Sequence, residues 1–352
     1  MNRIQVIAEI GVNHGGDPDS ACRMVDAAKA SGADAVKFQT FRAERLATQR
    51  TPKVAYQNRT TEADQSHFEM LRSLELSEEG HRAVFRHCRE AGIEFISTPY
   101  DPESVEFLES LGVERYKVAS ADLVDLFLLE RLARTAKPIL LSVGMASMGE
   151  VETALRVLDG QRSGPVTLLH CVSNYPCADD SLNLAVIPTL RAAFGRDVGY
   201  SDHSRGPLAS AMAVSLGATV IEKHFTLDKS AAGPDHAASD TPVQFAALVE
   251  QVRRAETMLG VPVKRCQSEE RQMSLVSRKS LTLVRRVKSG ETFSRTHFRL
   301  MRPGTRLPAA VLDQIVGRRA VADLDAGYQI DWADVGPMSD PFDRPAEAEV
   351  AT

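Results

Sequence analysis

The chain has few cysteines and no long apolar run. Its five cysteines form no C-x-x-C pair and their number is odd, so we expect reduced thiols in a cytoplasmic protein. The most apolar later stretch, 208–221 (LASAMAVSLGATVI), is too short and too rich in alanine and serine to span a bilayer. The first residues, MNRIQVIAEIGV, enter a predicted strand directly, and we expect no signal peptide.

A large basic run is also missing. The net charge is −5, so we expect neither a nucleic-acid partner nor a membrane partner. With 43% apolar and 25% charged residues, the composition is ordinary for a globular protein. The length of 352 residues exceeds that of one average domain.

From residue 4 to about 260, apolar β-branched runs alternate with helical patterns. Near-continuous apolar strands joined by helices predict a parallel sheet covered on both faces. Eight such units predict an α/β fold, a (β/α)8 TIM barrel. A doubly wound open sheet is the alternative, but no G-x-G-x-x-G follows the first strand. The predicted strands are 6–12, 35–40, 94–99, 115–120, 138–144, 166–171, 197–203 and 219–225.

Two segments depart from this alternation. The polar stretch 41–76 follows the second strand, where an insertion in a barrel is expected to act as a lid or a substrate loop. After about 261, short alternating strands and glycine turns predict a small β-rich domain. The predicted organisation is a barrel over 1–262, a linker over 263–278, the small domain over 279–338 and a disordered tail over 339–352.

Polar residues end every predicted strand, at the barrel face where catalytic groups lie. Lys37 and Lys117 stand inside apolar strands, and a buried ammonium needs an anionic partner. Together with serine hydroxyls they would suit a phosphate monoester. A buried Lys–Glu pair, with Glu9 or Glu222 as the carboxylate, explains the lysines equally well. The candidate hydroxyl donors are Ser120, Ser142 and Ser201.

His203 and His224 end neighbouring predicted strands, which lie about 4.8 Å apart in a sheet. That spacing permits a two-histidine metal site completed by water and substrate oxygens. The alternative is two unrelated histidines with backbone partners, and His170 competes as a ligand at the same edge.

Nine motifs in order resemble the sialic acid synthase family, and the match spans roughly residues 4–335. They are AEIGVNHGG, AVKFQT, FISTPYD, YKVASAD, ILLSVGMAS, LLHCVSNYP, GYSDHS, EKHFTLD and GPDHAAS. The segments RKSLTLVRRVKSGE and RLMRPG resemble the family's C-terminal antifreeze-like (SAF) domain. The resemblance implies a synthase that condenses phosphoenolpyruvate with an N-acylated amino hexose to give a nonulosonic acid, in a polysaccharide pathway.

The resemblance also implies roles for residues. His203 and His224 would hold Mn²⁺, or Mg²⁺ or Co²⁺, which would polarise the sugar aldehyde. Arg302 would reach the acyl group from the other subunit of a domain-swapped homodimer. The implied catalytic residues are Glu9, Asp122, His203 and His224. The implied substrate-binding residues are Lys37, Gln39, Thr98, Lys117, Ser120, Ser142, Tyr175, Ser201, Asp235 and Arg302.

Three departures leave the exact sugar open between N-acetylmannosamine and a 2,4-diacetamido-trideoxyhexose. Asp122 stands where some members have glutamate, and Ser173 stands where some have asparagine. The loop 41–66 matches weakly. Two other functions remain as alternatives: a related synthase of 3-deoxy sugar acids, and a sugar-binding protein without catalysis.

Overall fold

The computed structural model describes residues 3–53, 61 and 65–339. Eight parallel strands close into a barrel in chain order, with β8 pairing to β1. The predicted (β/α)8 barrel is therefore confirmed, and the open doubly wound sheet is excluded. The barrel strands are β1 (Gln5–Gly11), β2 (Ala35–Thr40), β3 (Glu94–Pro99), β4 (Tyr116–Val118), β5 (Ile139–Ser142), β6 (Val166–His170), β7 (Val198–Asp202) and β8 (Val220–His224).

Helices follow the strands, and several begin at capping residues that can be recognised in the sequence. Ser77 accepts a hydrogen bond from the amide of Gly80, and Asp101 accepts one from Ser104 ahead of a first-turn proline. Gly92 ends its helix in the left-handed region, with φ 67°. The helices of this unit are α1 (Pro18–Ala30), α2 (Ala43–Leu46), α3 (His67–Leu74), α4 (Glu78–Ala91), α5 (Pro102–Leu111), α6 (Leu126–Ala133), α7 (Met148–Gly160), α8 (Val186–Phe194), α9 (Leu208–Ser215) and α10 (Pro242–Leu259).

The barrel interior has an apolar layer nearer the amino-terminal ends of the strands and a polar layer above it. Because side chains alternate along a strand, a residue two positions further on faces the same side. Ile7 is thus followed on the inner face by Glu9, and Val220 by Glu222. The apolar layer, which we call the floor, consists of Ile7, Ala35, Ile96, Leu140, Leu169 and Val220.

The larger core lies between the outer face of the barrel and the helices. It combines outward strand residues such as Val6 and Tyr200 with helix residues such as Leu128 and Leu248, all fully or almost fully buried. Within the described residues, no helix is both long enough and apolar enough to cross a membrane.

The insertion after β2 is partly helical. It contains α2 and α3, and Ser66 and Glu69 form a reciprocal cap at the start of α3. Val12, Phe41, Met70 and Leu74 form a small apolar cluster under these helices. Residues 54–60 and 62–64 lie outside the described part, so the predicted lid is only partly covered.

The described residues from 261 to 339 form a second compact unit. Strands β9 (Ser280–Leu283) and β10 (Phe298–Met301) pair antiparallel, as do β11 (Arg318–Ala320) and β12 (Val335–Met338). The segment predicted as a linker contains helix α11 (Glu270–Ser277), and a short helix α12 (Leu312–Ile315) follows β10. Of the predicted tail, 340–352 lie outside the described residues.

Candidate active site

The carboxyl ends of the barrel strands surround a cavity of about 500 Å³. Twelve of the predicted site residues line this cavity, although they come from all eight strands or the loops after them. They are Glu9, Lys37, Gln39, Thr98, Lys117, Ser120, Ser142, Tyr175, Ser201, His203, His224 and Asp235.

The two remaining candidates lie elsewhere. Asp122 is in the 3-10 turn Ser120–Val124 that follows β4 and does not line the cavity. Arg302 belongs to the second unit, where its side chain is exposed and its Nε donates to the carbonyl of Ser277 at 3.1 Å.

Four buried charges occupy the polar layer. Lys37 Nζ lies 2.6 Å from Glu9 Oε2 and 3.9 Å from Glu222 Oε2. Lys117 Nζ lies 3.5 Å from Glu222 Oε1, which also accepts a hydrogen bond from Ser201 at 2.8 Å. The buried Lys–Glu pairing weighed from the sequence is therefore present, and both glutamates take part.

The pKa values of the two carboxyl groups are shifted in opposite directions, because burial outweighs the lysine contact at Glu9 and the contacts outweigh burial at Glu222. Burial raises the pKa of Glu9 to about 7, against the opposing influence of Lys37. Burial would also raise the pKa of Glu222, but Lys117, Lys37 and the Ser201 hydroxyl together lower it to about 2. With Glu222 ionised and Glu9 partly protonated near neutral pH, the two carboxyl groups carry less than two full negative charges. Burial also lowers the pKa of Lys117. A layer with two lysines and one fully ionised carboxylate suits an anion.

The two histidines meet at one side of the cavity. Their ring centroids are 5.6 Å apart, and the Tyr175 ring lies 4.2 Å from that of His203 and 5.4 Å from that of His224. Burial lowers the pKa of His203 to about 4 and that of His224 well below its usual value. Both imidazoles are therefore neutral at pH 7 and have a lone pair for a ligand.

Hydrogen bonds indicate which lone pairs are available. His203 Nδ1 is 2.7 Å from the carbonyl oxygen of Val172, so it carries the proton and leaves Nε2 as the acceptor. His224 Nδ1 is buried without a hydrogen-bond partner among the described residues, and Asp235 Oδ2 lies 3.8 Å away. The pair fits a divalent cation whose other ligands come from water or substrate. No cluster of three or more His, Cys, Asp or Glu side chains suited to a metal occurs in the described ranges.

His170, the competing ligand, takes no part. Its Nε2 lies 2.8 Å from the carbonyl of Leu182, its ring stacks on Tyr200, and it does not line the cavity. The alternation of the strand explains this placement, because the next residue, Cys171, is the one that faces inward.

Glu222 was not among the predicted site residues, yet it contacts both lysines. The signal was available: a residue two positions before an inward histidine on a strand must also face inward.

Cys171 and Ser173 also line the cavity and were not among the predicted site residues. A Cβ on Gly144 would come within 2.8 Å of Cys171 Sγ, 2.9 Å of Ser173 Oγ and 3.0 Å of Ser120 Oγ. Glycine therefore keeps open a niche lined by one sulfur and two hydroxyls.

An apolar wall forms the other side of the cavity. Residues of α2, α3 and the loop after β1 contribute it, and we call this set the α3 wall: Val12, Leu46, Met70, Leu71 and Leu74. The cavity therefore joins a charged, histidine-bearing region to an apolar region. Such a cavity suits a ligand with anionic and carbonyl groups at one end and apolar groups at the other.

A closed barrel with titratable groups gathered at the carboxyl ends of its strands defines a (β/α)8-barrel enzyme. Comparison with known proteins specifies the family. Residues 24–264 match the NeuB family model and residues 278–336 match the SAF domain. The chain belongs to the NeuB family of sialic-acid-type synthases.

Individual relatives agree with this assignment. The chain is 41% identical to an N,N'-diacetyllegionaminic acid synthase of Campylobacter jejuni, over 91% of this chain and 96% of that one. It is 42% identical to the protein of the same name from Legionella pneumophila, over 93% of each. The solved N-acetylneuraminic acid synthetase of Leptospira borgpetersenii superposes with a TM-score of 0.69 at 34% identity, covering 77% of this chain and 90% of that one.

Proposed function

We propose that the enzyme condenses phosphoenolpyruvate with an N-acylated amino hexose and water, giving a nonulosonic acid and phosphate. The observation that carries this proposal is the adjacency of two neutral imidazoles to a buried lysine–glutamate layer. The pair of imidazoles suits a sugar aldehyde, and the lysine–glutamate layer suits an anionic enol ester. Neither a simple binding protein nor a hydrolase needs both in one cavity.

The enolpyruvate would lie over the charged layer. Lys37 and Lys117 would bind its phosphate and carboxylate, and nearby hydroxyls would donate to the remaining oxygens. The Ser142 hydroxyl supports this role because it is buried without a partner among the described residues. Further donors are Thr98, Ser120 and Ser201. Holding both anionic groups fixes the carbon that forms the new bond.

The sugar aldehyde would lie at the histidine side. His203 and His224 would hold a divalent cation such as Mn²⁺, which supplies Lewis-acid polarisation of a carbonyl when it is bound. Gln39, Tyr175 and Asp235 line the same region and would contact the sugar hydroxyls. Burial raises the pKa of Asp235 to about 6, so its carboxyl can donate or accept a hydrogen bond near neutral pH.

The reaction then proceeds by formation of one bond and cleavage of another. C3 of the enolpyruvate attacks the aldehyde carbon, and positive charge develops at C2. Water adds to C2, and the C2–O bond to phosphate breaks, leaving a ketone and releasing phosphate. Glu9 is placed to hold the mobile proton at its carboxyl, because its pKa near 7 allows both forms.

Between the two sugars that the sequence leaves open, we propose the 2,4-diacetamido-2,4,6-trideoxyhexose. Its 6-methyl and second acetyl group add apolar surface that the α3 wall could cover, and each buried methyl is worth about 1 kcal/mol. Two relatives above 40% identity carry the name N,N'-diacetyllegionaminic acid synthase. N-acetylmannosamine would place hydroxyls against the same wall.

The test is turnover by the purified protein with phosphoenolpyruvate, Mn²⁺ and a panel of acylamino hexoses. We expect phosphate release and a product of nonulosonate mass, fastest with the trideoxy sugar. A His203→Ala/His224→Ala double variant should lose at least about 1,000-fold in rate, because removal of one electrostatic stabiliser of the transition state costs on that order.

Three results would contradict the proposal. Phosphate release with none of the sugars would refute it, and so would full turnover by the double variant. Preference for an unacylated aldose phosphate would instead support a synthase of 3-deoxy sugar acids. Sugar binding without turnover would support the non-catalytic alternative.

A further inference from the structure

The residues immediately before the two histidines form a buried ion pair. Asp202 precedes His203 and Lys223 precedes His224. The two are direct register partners on β7 and β8, and Lys223 Nζ lies 3.1 Å from Asp202 Oδ2. Each is 1% exposed, which makes this the most deeply buried charge pair in the described part of the chain.

This pair does not belong to the cavity. Side chains alternate along a strand, so the residues adjacent to the inward Ser201 and Glu222 face the helices. Ser210 of α9 donates to Asp202 Oδ2 at 2.7 Å, which places the pair under that helix. Neither Asp202 nor Lys223 lines the cavity.

The pair also fixes the turn that follows β7. Asp202 Oδ1 accepts the amide of Ser204 at 2.8 Å and its hydroxyl at 2.6 Å. Lys223 Nζ donates to the carbonyl of Ser204 and reaches that of Gly206 at 3.5 Å. Lys223, which directly precedes His224, therefore binds the side chain of the residue before His203 and the backbone of residues after it.

We propose that Asp202 and Lys223 are positioning residues that set the separation of the two imidazoles, and thereby the affinity of the site for a divalent cation. A cation held by only two protein ligands depends strongly on their spacing, because no third ligand corrects an error. The turn after Asp202 lies beyond the end of β7, and this ion pair binds it to β8. The proposal rests on the proposed role of His203 and His224.

The alternative is that the pair only stabilises the barrel. Removal of one partner leaves an unpaired buried charge, which destabilises any fold. The double variant Asp202→Asn/Lys223→Met separates the two effects, because it removes both charges together. If the pair positions the histidines, the double variant regains stability over the single variants but not cation affinity.

The experiment is Mn²⁺ titration of the full chain without substrates, followed by the electron paramagnetic resonance signal of free Mn²⁺. We expect the Kd of Lys223→Met and of the double variant to rise about tenfold, or ~1.4 kcal/mol. The KM for phosphoenolpyruvate should stay within about twofold, because the charged layer lies on the other face of the strands. Thermal unfolding is measured alongside.

Arg115→Met provides the matched control. Arg115, directly before β4, pairs with Glu94, the first residue of the neighbouring strand β3, at the amino-terminal end of the barrel. Its loss should lower stability without changing the Kd for Mn²⁺.

If the variants at 202 and 223 do not fold, Ser210→Ala carries the test. It removes a single hydrogen bond to Asp202 and should raise the Kd about threefold. Wild-type affinity for Mn²⁺ in a folded double variant would overturn the positioning role while leaving the metal site intact. If the double variant does not fold, wild-type affinity in Ser210→Ala would have the same meaning. A wild-type protein that binds no Mn²⁺ would overturn the metal site as well.

Discussion

Glu222 is the carboxylate that both buried lysines share. It lies within 4 Å of Lys37 and Lys117 and accepts the Ser201 hydrogen bond. Glu9 lies 2.6 Å from Lys37, and its other oxygen accepts a hydrogen bond from Gln39 at 3.2 Å. A bound anion would therefore meet lysines whose charge one residue, Glu222, chiefly balances in the free protein.

Glu222→Gln should lower the free energy of unfolding by about 3–5 kcal/mol, because two buried ammonium groups lose their common partner. Inorganic phosphate should restore part of this loss, since an anion replaces the missing charge. Urea denaturation with and without phosphate measures both effects. Glu94→Gln, at the opposite end of the barrel, is the control and should gain nothing from phosphate. An equal phosphate response in both variants would contradict the assignment of the layer as an anion site.

Asp122 gives a pH prediction. Burial, and to a smaller extent the negative charge of Asp125, raises the pKa of its carboxyl to about 7. The folded state therefore binds a proton that the unfolded state releases above about pH 4, so stability falls as the pH rises from 4 to 7. Asp122→Asn should flatten this dependence by on the order of 1 kcal/mol between pH 5 and pH 8. Urea unfolding at the two pH values measures it, and the exposed Asp180→Asn should leave the slope unchanged.

At the scale of elements, α3 presents one face to the cavity and another to solvent. Leu71 lines the cavity, whereas Arg72 is exposed. Leu71→Asn should lower kcat/KM for the trideoxy sugar about tenfold, because the sugar loses apolar cover. The KM for phosphoenolpyruvate should not change. Steady-state kinetics with Arg72→Gln as control checks this, and equal losses for both substrates would indicate a general disturbance of the loop.

The strands were predictable to within about two residues, since apolar runs with helical crossovers leave little choice of fold. The predicted 35–40 and 94–99 match β2 and β3 as observed. β4 is shorter than predicted, because Ser120 begins a 3-10 turn. The α3 wall could not be predicted, because it depends on how a polar insertion packs on the barrel. Helix α11 was missed since it is only eight residues long and none of its residues is buried in a core.

The site was predictable in its membership more than in its contacts. Strand ends identify which residues meet, because parallel strands share one edge. They do not decide whether Lys37 binds a ligand or a neighbouring carboxylate. That choice depends on distances of a few ångströms between Glu9, Lys37 and Glu222, which composition and spacing do not determine.

At the scale of the whole molecule, the domain-swapped homodimer remains a prediction. If Arg302 completes the site of the other subunit, two inactive variants should complement each other. His203→Ala and Arg302→Ala subunits, unfolded and refolded as an equal mixture, should recover about a quarter of wild-type activity, because half the dimers contain one intact site. Each variant refolded alone is the control. No recovery in a mixture shown to contain mixed dimers would exclude the swap.

The division of the barrel interior into an apolar floor and a polar layer bears on how such enzymes diverge. Cohesion of the closed sheet depends on the floor and on the packing beneath the helices, whereas substrate choice depends on residues above. Selection can thus replace the residues above the floor one at a time to suit a different sugar, without destabilising the barrel that supports them. Substrate preference within the family should therefore change faster than architecture.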